Sequence, residues 1–219
     1  ADDIMLLAPT VTALQIMLVA CELELKSIGM QINVQKSACM RFGNRYDSPC
    51  SSIISLSGNT LKWVTSFKYL GIVIVSGKRF RCLFDACKKN FGSFNAIFGR
   101  VGRFASEEVI LHLIRTKCLP VLLYAIEACP LLSRDVHSFE FVINRCLMKL
   151  FKTSSIVVVN ECCDFFGFTP IRLTIETRTV KFLERYISSE NIVCSCFARF
   201  ATAQLNGLRR AFAADMPIL

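Results

Sequence analysis

Ile53-Ile54-Ser55-Leu56-Ser57-Gly58-Asn59-Thr60-Leu61-Lys62-Trp63-Val64 is the stretch that decides the fold class. Two short runs of Ile, Leu, Trp and Val flank a Ser-Gly-Asn-Thr cluster. β-Branched and aromatic side chains suit a pleated surface, and the small polar cluster suits a turn, so the stretch predicts a β-hairpin. Phe67 to Val75 predicts another strand, ended by Ser76-Gly77. Upstream of the hairpin, Asn44 to Ser52 carries polar residues and Pro49 and predicts a loop. Gln31 to Phe42 predicts an extended segment interrupted around Lys36-Ser37.

Further back, Pro9-Thr10 predicts a helix start. Leu14, Met17, Leu18, Cys21, Leu25 and Ile28 recur at helical spacing, with Gln15, Glu22, Glu24 and Lys26 off the stripe. Gly29 is a natural stop just past them. Ile4 to Ala8 predicts a buried strand, and Ala1-Asp2-Asp3 precedes it. Ile4 to Cys21 is uncharged and nearly long enough to span a membrane. Pro9-Thr10, Thr12 and Gln15 interrupt it, so a strand, a turn and a core helix explain it better.

The character changes after residue 76. From Arg79 to Leu150 helical patterns dominate. Phe80, Leu83, Phe84, Cys87, Phe91, Phe94 and Ile97 form one stripe, and Phe139, Val142, Ile143, Cys146 and Leu150 another. Ser106-Glu107-Glu108 predicts a capped helix start, with acids where the helix dipole favours them. Pro120 is expected to bend or break that helix. Thr169-Pro170 predicts a further start, with Pro in the first helical position. The end from about Ala201 is expected to fray. The expected class is an α+β part with one packed helix over residues 1–76. A mostly α-helical region follows over 77–151, then a helical segment over 152–219.

Composition narrows the function. The chain has 219 residues, 53% of them hydrophobic, with 18 Phe, so it is expected to pack a core. Its net charge of +9 favours an anionic partner, nucleic acid first, with a merely solvated basic face as the alternative. The 12 Cys form no CxxC pair, and His112 and His137 lie at no zinc-ligand spacing from a Cys pair. The Cys are expected to be reduced, small core residues of an intracellular protein, nuclear or cytoplasmic. No secretory signal-peptide pattern is present, and no membrane association is expected.

Asp2-Asp3 alone is a common surface dipeptide. Adjacent carboxylates can also hold a divalent metal for phosphoryl transfer. Gly29-Met30-Gln31-Ile32-Asn33-Val34-Gln35-Lys36-Ser37 lies one helix downstream, and Phe67-Lys68-Tyr69-Leu70-Gly71 lies after the hairpin. This ordered set resembles the reverse transcriptase domain of non-LTR (LINE-type) retrotransposons. Ala1-Asp2-Asp3 resembles the end of that family's aromatic-Ala-Asp-Asp box. Gly29 to Ser37 resembles its Gly-Leu-x-x-Asn-x-x-Lys-(Ser/Thr) segment, with Met30 in place of Leu. Phe67 to Gly71 resembles its Tyr-Leu-Gly strand. Val121 to Glu127 resembles its Leu-Tyr-Gly-x-Glu helix, with Ala125 in place of Gly. The match is specific over 1–76, weaker to about 150 and faint beyond.

The resemblance implies the C-terminal part of a polymerase palm followed by a thumb. It implies RNA-directed DNA polymerisation with Mg2+, an RNA template, a DNA primer or target, and dNTP. Asp2 and Asp3 would be catalytic metal ligands. Lys36 would assist the pyrophosphate leaving group, and Asn33 would organise the loop around it. Tyr69, Leu70 and Gly71 would lie near the primer end, packing or approaching its backbone closely. Lys78, Arg79, Arg81, Lys88, Lys89, Arg100 and Arg103, with Arg115 and Lys117, would grip the duplex backbone. A further metal-binding Asp and the fingers are expected upstream of Ala1. The chain alone is therefore expected not to polymerise and to leave an apolar face open. Two other readings stay open: a non-catalytic nucleic-acid-binding module or decayed retroelement remnant, and a helical interaction protein.

Overall fold

The computed structural model describes residues 3–85, 93–102 and 104–215. The protein is mixed α+β and divides into two compact units, Ala1–Leu83 and Phe84–Leu219.

In the first unit, α1 spans Val11–Ser27, and the Thr10 side chain accepts the Ala13 N–H as its N-cap. The helix ends as Gly29 predicts. Gly29 takes a positive φ of 75°, its N–H bonds the Lys26 carbonyl, and the Met30 N–H bonds that of Leu25. This pair of bonds is the Schellman arrangement, and Gly meets its left-handed angle without strain.

The hairpin forms where expected. β2 (Ile53–Ile54) pairs antiparallel with β3 (Thr60–Trp63), Ile53 facing Leu61 and Ile54 facing Thr60. β1 (Ala38–Cys39) joins the other edge of β3 in parallel, giving the order β1-β3-β2. Leu18, Cys39, Ile53 and Leu61 form the buried centre, with Leu6, Val11, Leu14, Ile32, Val34 and Trp63 packed around it.

The polar residues off the α1 stripe hold the outer edge of β2. The Gln15 amide bonds Ile54 twice: Nε2 donates to its carbonyl at 2.7 Å and Oε1 accepts its N–H at 2.8 Å. A Glu22 carboxylate oxygen accepts the Leu56 N–H at 2.9 Å. The three bonds do on that edge what a neighbouring strand would do.

Three expectations for this unit need correction. Phe67 to Val75 is two strands, β4 (Ser66–Tyr69) and β5 (Ile72–Val75), folded as an antiparallel hairpin. Leu70 and Gly71 make the turn with φ of 45° and 84°; two successive positive angles match strand twist in a two-residue loop. The Phe80–Leu83 run is not helical. Arg81–Leu83 is β6, antiparallel to β5, with Cys82 buried between exposed Arg81 and Leu83. Alternation by two and an open edge on β5 outweigh the helical spacing. Ile4 to Ala8 is irregular rather than a buried strand, with Ile4 and Leu7 57% and 75% exposed. No described strand pairs with it, and extended backbone without a partner leaves its amides to water. Ile16, Met17 and Leu23 on α1 are exposed, as are Ile4, Met5 and Leu7.

The second unit is helical. Its described helices are α2 (Ser93–Val101), α3 (Glu107–Leu113), α4 (Leu119–Leu122), α5 (Ser133–Leu150), α6 (Ile156–Phe165), α7 (Ile171–Ile187) and α8 (Ile192–Asp215). Ser106 caps α3 as expected, its hydroxyl accepting from the Val109 N–H. Pro120 neither breaks nor ends the helix. The turn before it widens into a π-helical segment, Ile114–Cys118, and the chain continues into α4. A wide turn relieves the crowding of the proline ring against the preceding turn. Glu107–Ala128 is apolar and long enough to cross a membrane by length and composition. Its Ile110, Leu111, Ile114, Cys118, Leu122, Leu123 and Ile126 are all buried in this unit.

Phe139, Ile143, Leu147 and Leu150 carry the buried stripe of α5, and Phe139 meets Phe84 edge-on at 5.6 Å. Pro170 is the N-cap of α7 rather than its first helical residue. The end does not thin from Ala201. α8 continues to Asp215, and Ala201 and Leu205 are buried with Leu183 of α7. Cys87 and Phe91 lie outside the described residues. Burial pushes the Cys39, Cys118 and Cys163 thiols up, and that of Cys146 up to about 12. These four stay protonated at neutral pH and act as core residues.

Replacing Gln15 by Ala removes both bonds to Ile54. We expect a loss of roughly 1–3 kcal/mol in urea unfolding. An unchanged midpoint would show that α1 is held by apolar packing alone.

Candidate functional site

The residues implicated by sequence fall on different parts of the molecule. Asp2 lies outside the described residues. Asp3 is exposed at the start of the irregular 3–8 stretch. Among the described residues no group of three His, Cys, Asp or Glu is placed to hold a metal. Mg2+ takes oxygen ligands in near-octahedral geometry. Asp3 by itself does not make such a site.

In the Gly29–Ser37 segment Asn33 organises the loop through its own hydrogen bonds, as expected. Asn33 Oδ1 accepts the Gln35 and Lys36 N–H groups at 3.1 and 3.2 Å. Its carbonyl accepts the Lys36 and Ser37 N–H groups and, at 2.8 Å, the Ser37 hydroxyl. A carboxamide that bonds the backbone two residues on makes an Asx turn. The turn presents Lys36 exposed, with no ion pair to it among the described residues. No bond or ion pair joins Lys36 to Asp3.

Tyr69, Leu70 and Gly71 are the tip of the β4–β5 hairpin. Tyr69 faces Ile72 across the turn and is half-buried. Leu70 does not pack; it is 51% exposed at a left-handed backbone angle. A branched side chain held there carries strain of about 1–3 kcal/mol. Gly71 serves the turn through its own positive φ.

The basic residues do not form one helical face. Lys78 and Arg79 follow β5, and Arg81 is on β6, all exposed in the first unit. Pairing places further residues beside them. Lys68 faces Val73, Val73 faces Leu83, and Val75 faces Arg81, so Lys68 and Arg81 share the outer face of the β4-β5-β6 sheet. Lys68 is exposed and was not singled out from the sequence. Its signal is compositional: from Ser48 to Leu83 the chain has no acid and carries Lys62, Lys68, Lys78, Arg79 and Arg81.

In the second unit Arg100 is exposed near the end of α2, while Lys88, Lys89 and Arg103 lie outside the described residues. Arg115 is used structurally. Its Nη2 donates to the Phe166 and Gly167 carbonyls at 2.9 and 2.7 Å, and its guanidinium lies over Phe168. Through Nη2 it supports the end of α6, and the residue stays exposed. Lys117 is exposed.

The Val121–Glu127 segment has two local devices. Ala125 takes a φ of 53°, the left-handed conformation that Gly meets most easily. The turn aims Glu127 at Arg178 of α7, whose Nη2 bonds both carboxylate oxygens at 3.0 and 3.1 Å. The pair is mostly shielded, with side chains 35% and 19% exposed. Sequence reading put the departure from Gly at Ala125 but gave no role to Glu127 or Arg178.

Compared with protein-family models, with curated proteins and with solved structures, the chain matches none.

The Ala125 angle gives a direct test. Ala125→Gly removes the side-chain cost of a left-handed angle and is expected to stabilise by about 1 kcal/mol. Thermal unfolding measures it, and a lower midpoint would refute the assignment.

Proposed function

We propose that this chain is part of an RNA-directed DNA polymerase of the non-LTR retrotransposon type, comprising palm residues followed by a thumb. We infer that its own residues hold the sugar–phosphate backbone of an RNA–DNA duplex. The observation that carries this reading is the acid-free stretch 48–83, whose Lys68 and Arg81 share one sheet face with Lys78 and Arg79 in the adjoining connection. Repeated cations without intervening acids suit repeated phosphates, and contact of this kind is independent of sequence. The Asx turn that presents Lys36 and the left-handed Ala125 before Glu127 support the same family. Three of the four boxes of the resemblance fall on a defined turn or hairpin; the Ala1-Asp2-Asp3 box does not.

The Mg2+ that the resemblance implies would need carboxylates besides Asp3, so no chemical step is assigned to the described residues. A second reading is a nucleic-acid-binding module without catalysis. Incorporation by this chain in primer extension with dNTP and Mg2+ would exclude the second; its absence is expected of both.

Backbone gripping has a salt signature. Each neutralised phosphate contributes about −0.9 to the slope of log K against log salt on a duplex. Engagement of Lys68, Lys78, Arg79 and Arg81 predicts a slope of roughly −3 to −4 from these four. Arg81→Ala is expected to reduce it by about 1 while weakening all duplex sequences alike. A slope near zero, or an unchanged slope in Arg81→Ala, would remove the face from the account.

A further inference from the structure

A cleft of about 310 Å3 lies in the first unit, between the 44–50 loop and the residues that follow β3 and β5. It is lined by Arg41, Tyr46, Asp47, Trp63, Thr65 and Ser76, among others. The volume is at the lower end of small-molecule sites, which span ~300–1,000 Å3. It has room for one planar heterocycle with a sugar and none for a duplex.

Its frame is tied on several sides. The Ser76 N–H donates to the Thr65 carbonyl at 2.8 Å and its hydroxyl to the Arg41 carbonyl at 2.7 Å. The Val64 N–H bonds the Cys39 carbonyl. The loop is held by side chains of the lining itself: Trp63 Nε1 donates to the Ser51 carbonyl at 3.1 Å, and Arg41 Nη1 to that of Ser48 at 3.2 Å. The indole and the guanidinium are therefore positioned before any ligand arrives, which lowers the cost of binding.

We propose that this cleft binds a single nucleobase, guanine above the others, from a mononucleotide or from an unstacked position in a single strand. The inference draws on the nucleic-acid reading only for the source of the base. Trp63 and Tyr46 are the aromatic residues of the lining, and every base has a π-face that can stack on such rings. Selectivity comes from the two charges. An ionised carboxylate only accepts, so Asp47 suits an edge that presents adjacent N–H donors. Guanine presents N1–H and the N2 amino group side by side; adenine, cytosine and uracil do not. Asp47 makes no ion pair among the described residues, so its carboxylate is open to such an edge. Arg41 has guanidinium donors beyond the bond to Ser48, and they suit a phosphate or the O6 and N7 of the base.

Trp63 is the sole tryptophan, so its emission reports this cleft. GMP, AMP, CMP and UMP are titrated into the full chain with excitation at the red edge of indole absorption. The expected result is a saturable change with GMP at roughly tenfold lower concentration than with the other three. Asp47→Asn should abolish the preference and Tyr46→Ala should weaken all four, with circular dichroism checking that both variants fold. Short guanine-containing and guanine-free single strands assign the source. Tighter binding of the former than of GMP points to a strand, and equal binding to a free nucleotide. The absence of any saturable change, a response without guanine preference, or a preference that survives Asp47→Asn overturns the proposal. Duplex binding in Asp47→Asn, expected to be intact, keeps failure here distinct from failure of the backbone-gripping reading.

Discussion

The first unit depends on one amide. Gln15 of α1 satisfies both backbone groups of Ile54, on the open edge of a two-residue strand. A strand that short, paired on one side, is marginal by itself. The carboxamide supplies donor and acceptor at the spacing a third strand would, and Glu22 adds the bond to Leu56. These bonds set the height of α1 against the hairpin, which lets Leu18 meet Ile53 and Leu61. The end of α1 then fixes where the chain emerges. Gly29 turns it, Asn33 turns it again, and β1 enters beside β3. The Asn33 turn then leaves Lys36 exposed.

Local signals were legible in the sequence, and tertiary ones were not. The hairpin at 53–64, the stop at Gly29, the Asn33 turn and the Ser106 cap each depend on residues within a few positions of one another. Leu70 hid the β4–β5 turn because a branched residue rarely takes a positive φ, so the run read as one strand. β6 was hidden because its Phe and Leu fit a helical stripe, while its pairing with β5 is non-local. The persistence of α8 beyond Ala201 depends on burial against α7, which its composition does not announce. The structural bonds of Arg115 were hidden for the same reason, since the carbonyls it bonds lie far along the chain.

The local structure at the candidate site residues was legible to a similar degree. Asn33, Lys36 and the Tyr69–Gly71 tip were identified by order and spacing, and each occupies a formed turn. Lys68 was not, because strand pairing alone puts it on one face with Arg81. Charge distribution carries the functional argument further than any single box. Five cations without an acid over 48–83 create a positive local field that a mere solubilising surface, with both signs mixed, would not.

The most direct measurement is amide hydrogen exchange of the chain with and without an RNA–DNA duplex. The account predicts slowed exchange over 66–83, at β4, β5, β6 and the Lys78-Arg79 connection, reversed by added salt. Protection confined to the exposed apolar side of α1, or no salt-reversible protection over 66–83, would contradict it.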